Sequence, residues 1–229
     1  MNGILKNIVI VLLLLVVAGL VYGIVRSIQQ PVQFNKEKEA QEVVAVQRLK
    51  DIRTLQVAYK GVNGKYTADF DSLALFFNSG KMDVTMQVGS KNDSLAVANT
   101  EKLKKQNRKI TPQEMYELYK KGQNLVFSIK NLIAVKDTLF KHREDFHIDS
   151  LRYIPFSGKQ KIQMDAIVKM VSGVNVPLFE AKMPYKALLK GLDNQLRINL
   201  DAERDAGGLY PGLQVGSVTA PNNNAGNWE

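Results

Sequence analysis

The chain contains no cysteine, two histidines and a single tryptophan in 229 residues. The missing cysteines exclude disulfides, thiolate metal sites and a cysteine nucleophile, and they suit a bacterial periplasm. The two imidazoles fall in His142-Arg143-Glu144-Asp145-Phe146-His147. They lack the i, i+4 helical spacing of a zinc pair and there is no third histidine, so no metal is expected. A Ser–His–Asp triad can be drawn on paper from His147 and Asp149, yet no Gly-x-Ser-x-Gly elbow accompanies it. P-loop, dinucleotide fingerprint and internal repeat are also absent. These gaps together predict a chain that is not an enzyme, with no cofactor and no small-molecule substrate.

A further absence is positional: the nineteen residues Asn7 to Val25, between Lys6 and Arg26, carry no charge. Their centre, Ile8 to Val17, is an unbroken run of Ile, Val and Leu. At about 1.5 Å per residue such a helix is roughly 28 Å long, enough to cross a hydrocarbon layer of about 30 Å. A buried core helix is seldom apolar on every face. A cleaved signal peptide has a shorter core and a small-x-small cleavage site, whereas Val17-Ala18-Gly19 runs on into Leu20, Val21 and Tyr22. The stretch therefore reads as a single-pass membrane anchor, with Ile8, Leu12 and Leu15 on lipid and Gly19 and Gly23 as a small-xxx-small pair. That pair either lets another helix approach or reflects how common glycine is in membrane helices. Only six residues precede the span, so the large C-terminal part is expected to be translocated, as in a bacterial inner-membrane protein with a periplasmic domain.

The rest is polar and basic. The net charge is +9, or +7 once Lys6 and Arg26 are set aside. Such a balance raises nucleic acid or an anionic surface as partners. The basic residues are spread along the chain without an RNP, zinc-finger or helix-turn-helix signature, and nucleic acid is not expected. A local excess, five basic residues between Lys102 and Lys109, reads as a solvated helix or as a docking patch for an anionic partner.

Gln29-Gln30-Pro31 predicts an end or kink near Ile28, because proline removes a helix hydrogen bond. A second helix is expected from Asn35 to Lys60, with Val43, Val46, Leu49, Ile52, Leu55 and Tyr59 in one stripe. That stripe either packs on the chain's own domain or pairs with another subunit. In the second case Val46, Leu49, Ile52, Leu55 and Tyr59 are candidate partner contacts, as is Trp228 near the C-terminus. Gly61 and Gly64 supply the stop. Asp69 or Thr67 then caps a short helix ending near Gly80; capping accounts for Asp69 and Asp71 better than a metal or acid–base role.

This order of parts resembles type IV pilins and the pseudopilins of type II secretion. The carriers are the apolar N-terminal helix, Leu55-Gln56-Val57-Ala58-Tyr59, Asn63-Gly64-Lys65-Tyr66 and Asp69-Phe70-Asp71-Ser72-Leu73, over about residues 4–80. Tyr210-Pro211-Gly212-Leu213 and the Asn- and Gly-rich tail ending in Trp228 are a fainter echo. The prepilin peptidase motif is missing, and no glutamate lies in the span. The resemblance implies a pilin-like layout in an envelope assembly.

Beyond residue 80, strands are expected at Met82–Val88, Asn124–Lys130, Lys161–Val168, Val174–Lys182, Leu196–Leu200 and within Leu209–Val218. Thr111-Pro112-Gln113-Glu114 spells a capping box with proline at the first helical position. Met183-Pro184-Tyr185 opens a short helix, and Asp201 to Gly208 reads as a polar turn. The fold class is α+β: a transmembrane helix, an amphipathic stalk helix, then an antiparallel sheet with short helices. The parts are an anchor (1–28), a helical stalk region (29–80) and a soluble domain (81–229). The function expected is a structural or scaffolding subunit of an envelope complex, with the membrane and other subunits or further copies as partners. The alternative is a tethered binding module whose basic surface recognises an anionic envelope component such as peptidoglycan or lipid.

Overall fold

The computed structural model describes residues 3–229, with side-chain surroundings given from Ile10 onward. The elements in order are helix α1 (Gly3–Asn63), α2 (Phe70–Ser79), strand β1 (Lys81–Val88), α3 (Ser94–Gln106), α4 (Pro112–Lys120), β2 (Phe127–Ala134) and the helical turn α5 (Val135–Thr138). A 3-10 turn (Ile148–Arg152), β3 (Gln163–Val171), β4 (Val174–Pro184), the turn α6 (Tyr185–Leu188), α7 (Asn194–Ala206) and β5 (Gly212–Gly216) follow. The class is α+β with small antiparallel sheets. Among the described residues one helix is long and apolar enough to cross a membrane.

The helix does not end near Ile28: α1 is a single helix of 61 residues with Pro31 inside it. Proline forfeits the bond to the carbonyl four residues back and crowds that carbonyl, a local cost of about 3 kcal/mol. Phe34 beyond it is already buried, so continuing the helix is favoured by packing.

The chain divides into two compact units, cut differently from the 29–80 and 81–229 parts expected. The first comprises residues 1–54, 66–68 and 147–229. Its sheet has the order β3-β4-β5, antiparallel throughout, with Gln163 opposite Lys182 and Glu180 opposite Gly216. Ser172 (φ 51°) and Gly173 (φ 82°) join β3 to β4, the paired positive angles of a tight two-residue turn. Buried apolar residues of this unit include Phe34, Ala45, Leu49 and Ile52 of α1 and Phe179, Met183, Leu188 and Val215. Polar contacts fasten α1 along its length: Gln30 donates to Asp193, Tyr185 donates to Glu42 at 2.6 Å, and Arg48 donates to the Tyr153 carbonyl.

The segment Leu196–Leu200, expected as a strand, lies inside α7, as does most of the expected turn after Asp201. Asp193 caps the helix by accepting from the N–H groups of Gln195 and Leu196. Arg197 pairs with Asp201 one turn on. Five alternating residues are too few to separate period 2 from a helix that half-buries Leu196 and Leu200 four apart.

The second unit comprises residues 55–65 and 69–146. β1 and β2 pair antiparallel from Lys81↔Ala134 to Val88↔Phe127. β2 thus runs four residues past the expected end, because β1 supplies partners that far. Val88, Met115, Leu125, Phe127 and Ile129 form its core, covered by Leu103, Ile110, Tyr116 and Leu118. Tyr59 meets Phe76 edge-on at 5.3 Å, and Phe140 stacks on Phe146 at 3.9 Å. Asp69 caps α2, and Thr111 and Glu114 close the capping box of α4.

Candidate interaction surfaces

The charge-free stretch exposes every apolar side chain from Ile10 to Ile28, whichever way it points round the helix. Leu12 and Leu15 are 61% and 68% exposed. A β-carbon at Gly19 or Gly23 would meet nothing within 4 Å, so this flank is open to another helix. The Ile8 side chain lies outside the described residues.

The stripe of α1 divides. Leu49, Ile52 and Leu55 are fully buried within the chain's own fold, which removes them as contacts for another subunit. The physical reason is direct: a stripe at steps of three and four buries equally well against its own domain. Val46 and Tyr59 are half-buried. The faces of α1 open to a partner carry Val43, 70% exposed, with Val44 and Val57.

Trp228 is half-buried and lies over Gly226, where an added β-carbon would sit 2.3 Å from the indole ring. The tail runs beside β5, with Gly216 N–H donating to Ala225 and Asn227 N–H to Gln214. Arg53 of α1 clamps the end of the chain through Glu229 at 2.6 Å. That hydrogen bond, before the charge of Arg53 itself, holds the Glu229 carboxyl below its ordinary range. Trp228 thus packs in part against its own tail.

Three titratable groups, Tyr185, Tyr210 and Glu180, are built into the fold. The Tyr185 hydroxyl is pushed up by burial first and by its bond to Glu42 second. Burial likewise raises Tyr210 to about 12. Buried Glu180 accepts from Lys182 on one oxygen and from Gln214 at 2.9 Å on the other. A carboxylate satisfied on both oxygens inside a sheet is a structural joint. His142 and His147 are both exposed. Among the described residues no three His, Asp or Glu side chains converge as metal ligands.

Two features escaped the sequence reading. The far end of the β3–β4 hairpin exposes Ile167, Val168, Met170 and Val174, so both of its faces are apolar and open. A groove of about 340 Å³ also opens in the second unit, between α3 and residues 123–125. The two strands beside Ser172-Gly173 are expected, but the exposure of their far end depends on what packs there and has no local signal; the groove joins residues twenty apart and has none either. Searches of family models, curated proteins and solved structures found no match to this chain.

Proposed function

We propose that this protein is a non-enzymatic, membrane-anchored structural subunit of a bacterial envelope assembly, pilin-like in layout. The observation that carries the reading is α1 itself. From Ile10 to Ile28 it exposes apolar side chains all round, and the same helix continues into residues buried in a folded domain. A helix of this kind transmits position from the bilayer to the domain without a flexible joint. The anchor fixes the chain in the inner membrane, the later turns of α1 carry the translocated domain, and the exposed hairpin and the open faces of α1 meet other subunits or further copies. The single helix also agrees with what a resemblance to pilins and pseudopilins implies. The missing peptidase motif and the charge-free span argue for a permanent anchor over a processed filament subunit.

Extraction in a gentle detergent with a C-terminal tag, followed by native mass measurement and identification of what co-purifies, tests this. A discrete complex of several copies, or one with other inner-membrane proteins, is expected. A bare monomer that persists across mild detergents refutes the scaffold role.

A further inference from the structure

The surplus positive charge of the second unit is concentrated. Between Lys91 and Lys130 there are nine basic and four acidic residues. Three of the four acids are occupied within the fold: Asp93 caps α3, Glu114 closes the capping box and Glu117 holds Lys120. Only Glu101 opposes Lys102, Lys104, Lys105, Arg108 and Lys109 on the same stretch of chain. The groove opens within this basic segment. Its polar wall is Asn99, Lys102, Gln106, Gln123 and Asn124, and Leu103 and Leu125 supply a small apolar floor. Its volume of about 340 Å³ lies at the lower end of small-ligand clefts, about 300–1,000 Å³.

The groove is held rigid by bonds that leave its ligand-facing groups free. Asn99 donates to the Asn124 carbonyl at 3.2 Å, and Asn124 donates to Asp93 at 2.7 Å. Buried Thr100 accepts from Val126 N–H at 2.8 Å and donates to Ala96. Lys102 and Gln106, one turn apart on α3, are exposed, as is Gln123 opposite them. Carboxamides offer a donor and an acceptor side by side, which suits hydroxyl and acetamido groups. A free ammonium beside them suits a carboxylate. A leucine floor suits the C–H face of a sugar ring. No aromatic side chain lines the groove and the segment holds one arginine, so base stacking and guanidinium contacts to a nucleic acid are poorly supplied.

We infer that this groove is a binding site for a carboxylate-bearing glycan, with Lys102 on the carboxylate and Gln106 and Gln123 on the sugar's polar edge. The inference goes beyond the scaffold role and stands if that role fails.

The test is calorimetric titration of the full chain in phosphatidylcholine nanodiscs with a hyaluronan tetrasaccharide, which alternates uronate and acetamido sugars. Neutral chitotetraose and a ten-residue oligothymidylate are the comparison ligands. Saturable one-to-one binding is expected, at least fivefold tighter than to chitotetraose and weakened by added salt. Lys102→Gln and, independently, Gln123→Ala should each weaken it about tenfold, the loss of a hydrogen bond to a charged or polar partner. Lys130→Gln, an exposed charge on β2 outside the groove, should change it less than twofold. Absence of saturable binding, an equal loss in Lys130→Gln, or tighter Lys102-dependent binding of the oligothymidylate overturns the assignment. Because the altered side chains are exposed, the variants should melt with the parent. If one does not, Gln106→Ala must reproduce the loss or the proposal fails.

Discussion

Residues 10–28 and 34–59 belong to one helix, yet they meet opposite surroundings. In the first stretch the large apolar side chains are 43–68% exposed on every face. In the second, Ala45, Leu49, Ile52 and Leu55 are fully buried while Val43 and Val57 face outward. Leaving a large aliphatic side chain in water forfeits about 1.5–3 kcal/mol of burial. A dozen such side chains on all sides of a helix suit an apolar medium or a cover of other chains; one stripe suits a protein core. Along one regular backbone the side-chain pattern thus changes from apolar on all sides to apolar on one.

Charge placed in the first stretch should break this division most severely. Each arginine at the centre of a membrane helix costs about 2.5–3.5 kcal/mol of insertion. Leu12→Arg combined with Leu15→Arg should therefore cost about 5–7 kcal/mol. The double variant is expected to leave the membrane fraction in lipid flotation. Full flotation would show that this helix is not the anchor.

Truncation in the second stretch should cost less and act on folding. Leu49→Ala removes a fully buried side chain and is expected to lose about 2–5 kcal/mol. Val43→Ala, on the open face of the same helix, should stay within about 0.5 kcal/mol. Urea unfolding followed by Trp228 fluorescence compares them. Equal losses would mean that Val43 is covered by another chain.

Pro31 sits between the two stretches. Proline in a helix interior is about 3 kcal/mol worse than alanine. Pro31→Ala should therefore stabilise the chain by about 1–3 kcal/mol and slow amide exchange around residues 27–34, read by mass spectrometry. A destabilised variant would show that the half-buried ring packs to more effect than the missing N–H costs.

What the sequence made legible follows the same logic. The apolar run, the stripe, the caps at Asp69 and Thr111, and the β1 and β4 strands all announce themselves within a few residues, since caps and periodicity are local. Pro31 misled because its penalty is local and the packing of Phe34 that overrides it is not. Leu196–Leu200 misled because its alternation also fits i, i+4 burial, and the Asp193 cap sits just outside the run. Whether Leu49 faces a partner or its own domain could not be read from spacing, which is identical in both cases. The groove beside α3 needed Lys102 and Gln123 brought together across an intervening helix.

The smallest expected effect concerns how the second stretch of α1 holds the tail. Arg53 bonds Glu229 at 2.6 Å and keeps its carboxyl below the ordinary 4.5, with Lys50 adding a weaker pull in the same direction. A depressed carboxyl contributes stability that is complete above the unfolded value and is lost as pH falls through the folded one. The tail should therefore stay fastened at pH 5 and release only below 4.5. The sole tryptophan, Trp228, is the neighbouring residue and reports the release by a red-shifted emission. Asp93 is depressed as well, first by the bond from Asn124 and then by its cap, and Glu114 and Asp193 first by hydrogen bonds at their helix caps, so acid weakens the fold in the same window. Arg53→Gln separates the local event from that background. It should move the fluorescence midpoint upward toward 4.5 while leaving the acid loss of circular dichroism in place. An unmoved midpoint would mean that Glu229 is held by the run of the tail beside β5, and that α1 plays no part in closing the C-terminus.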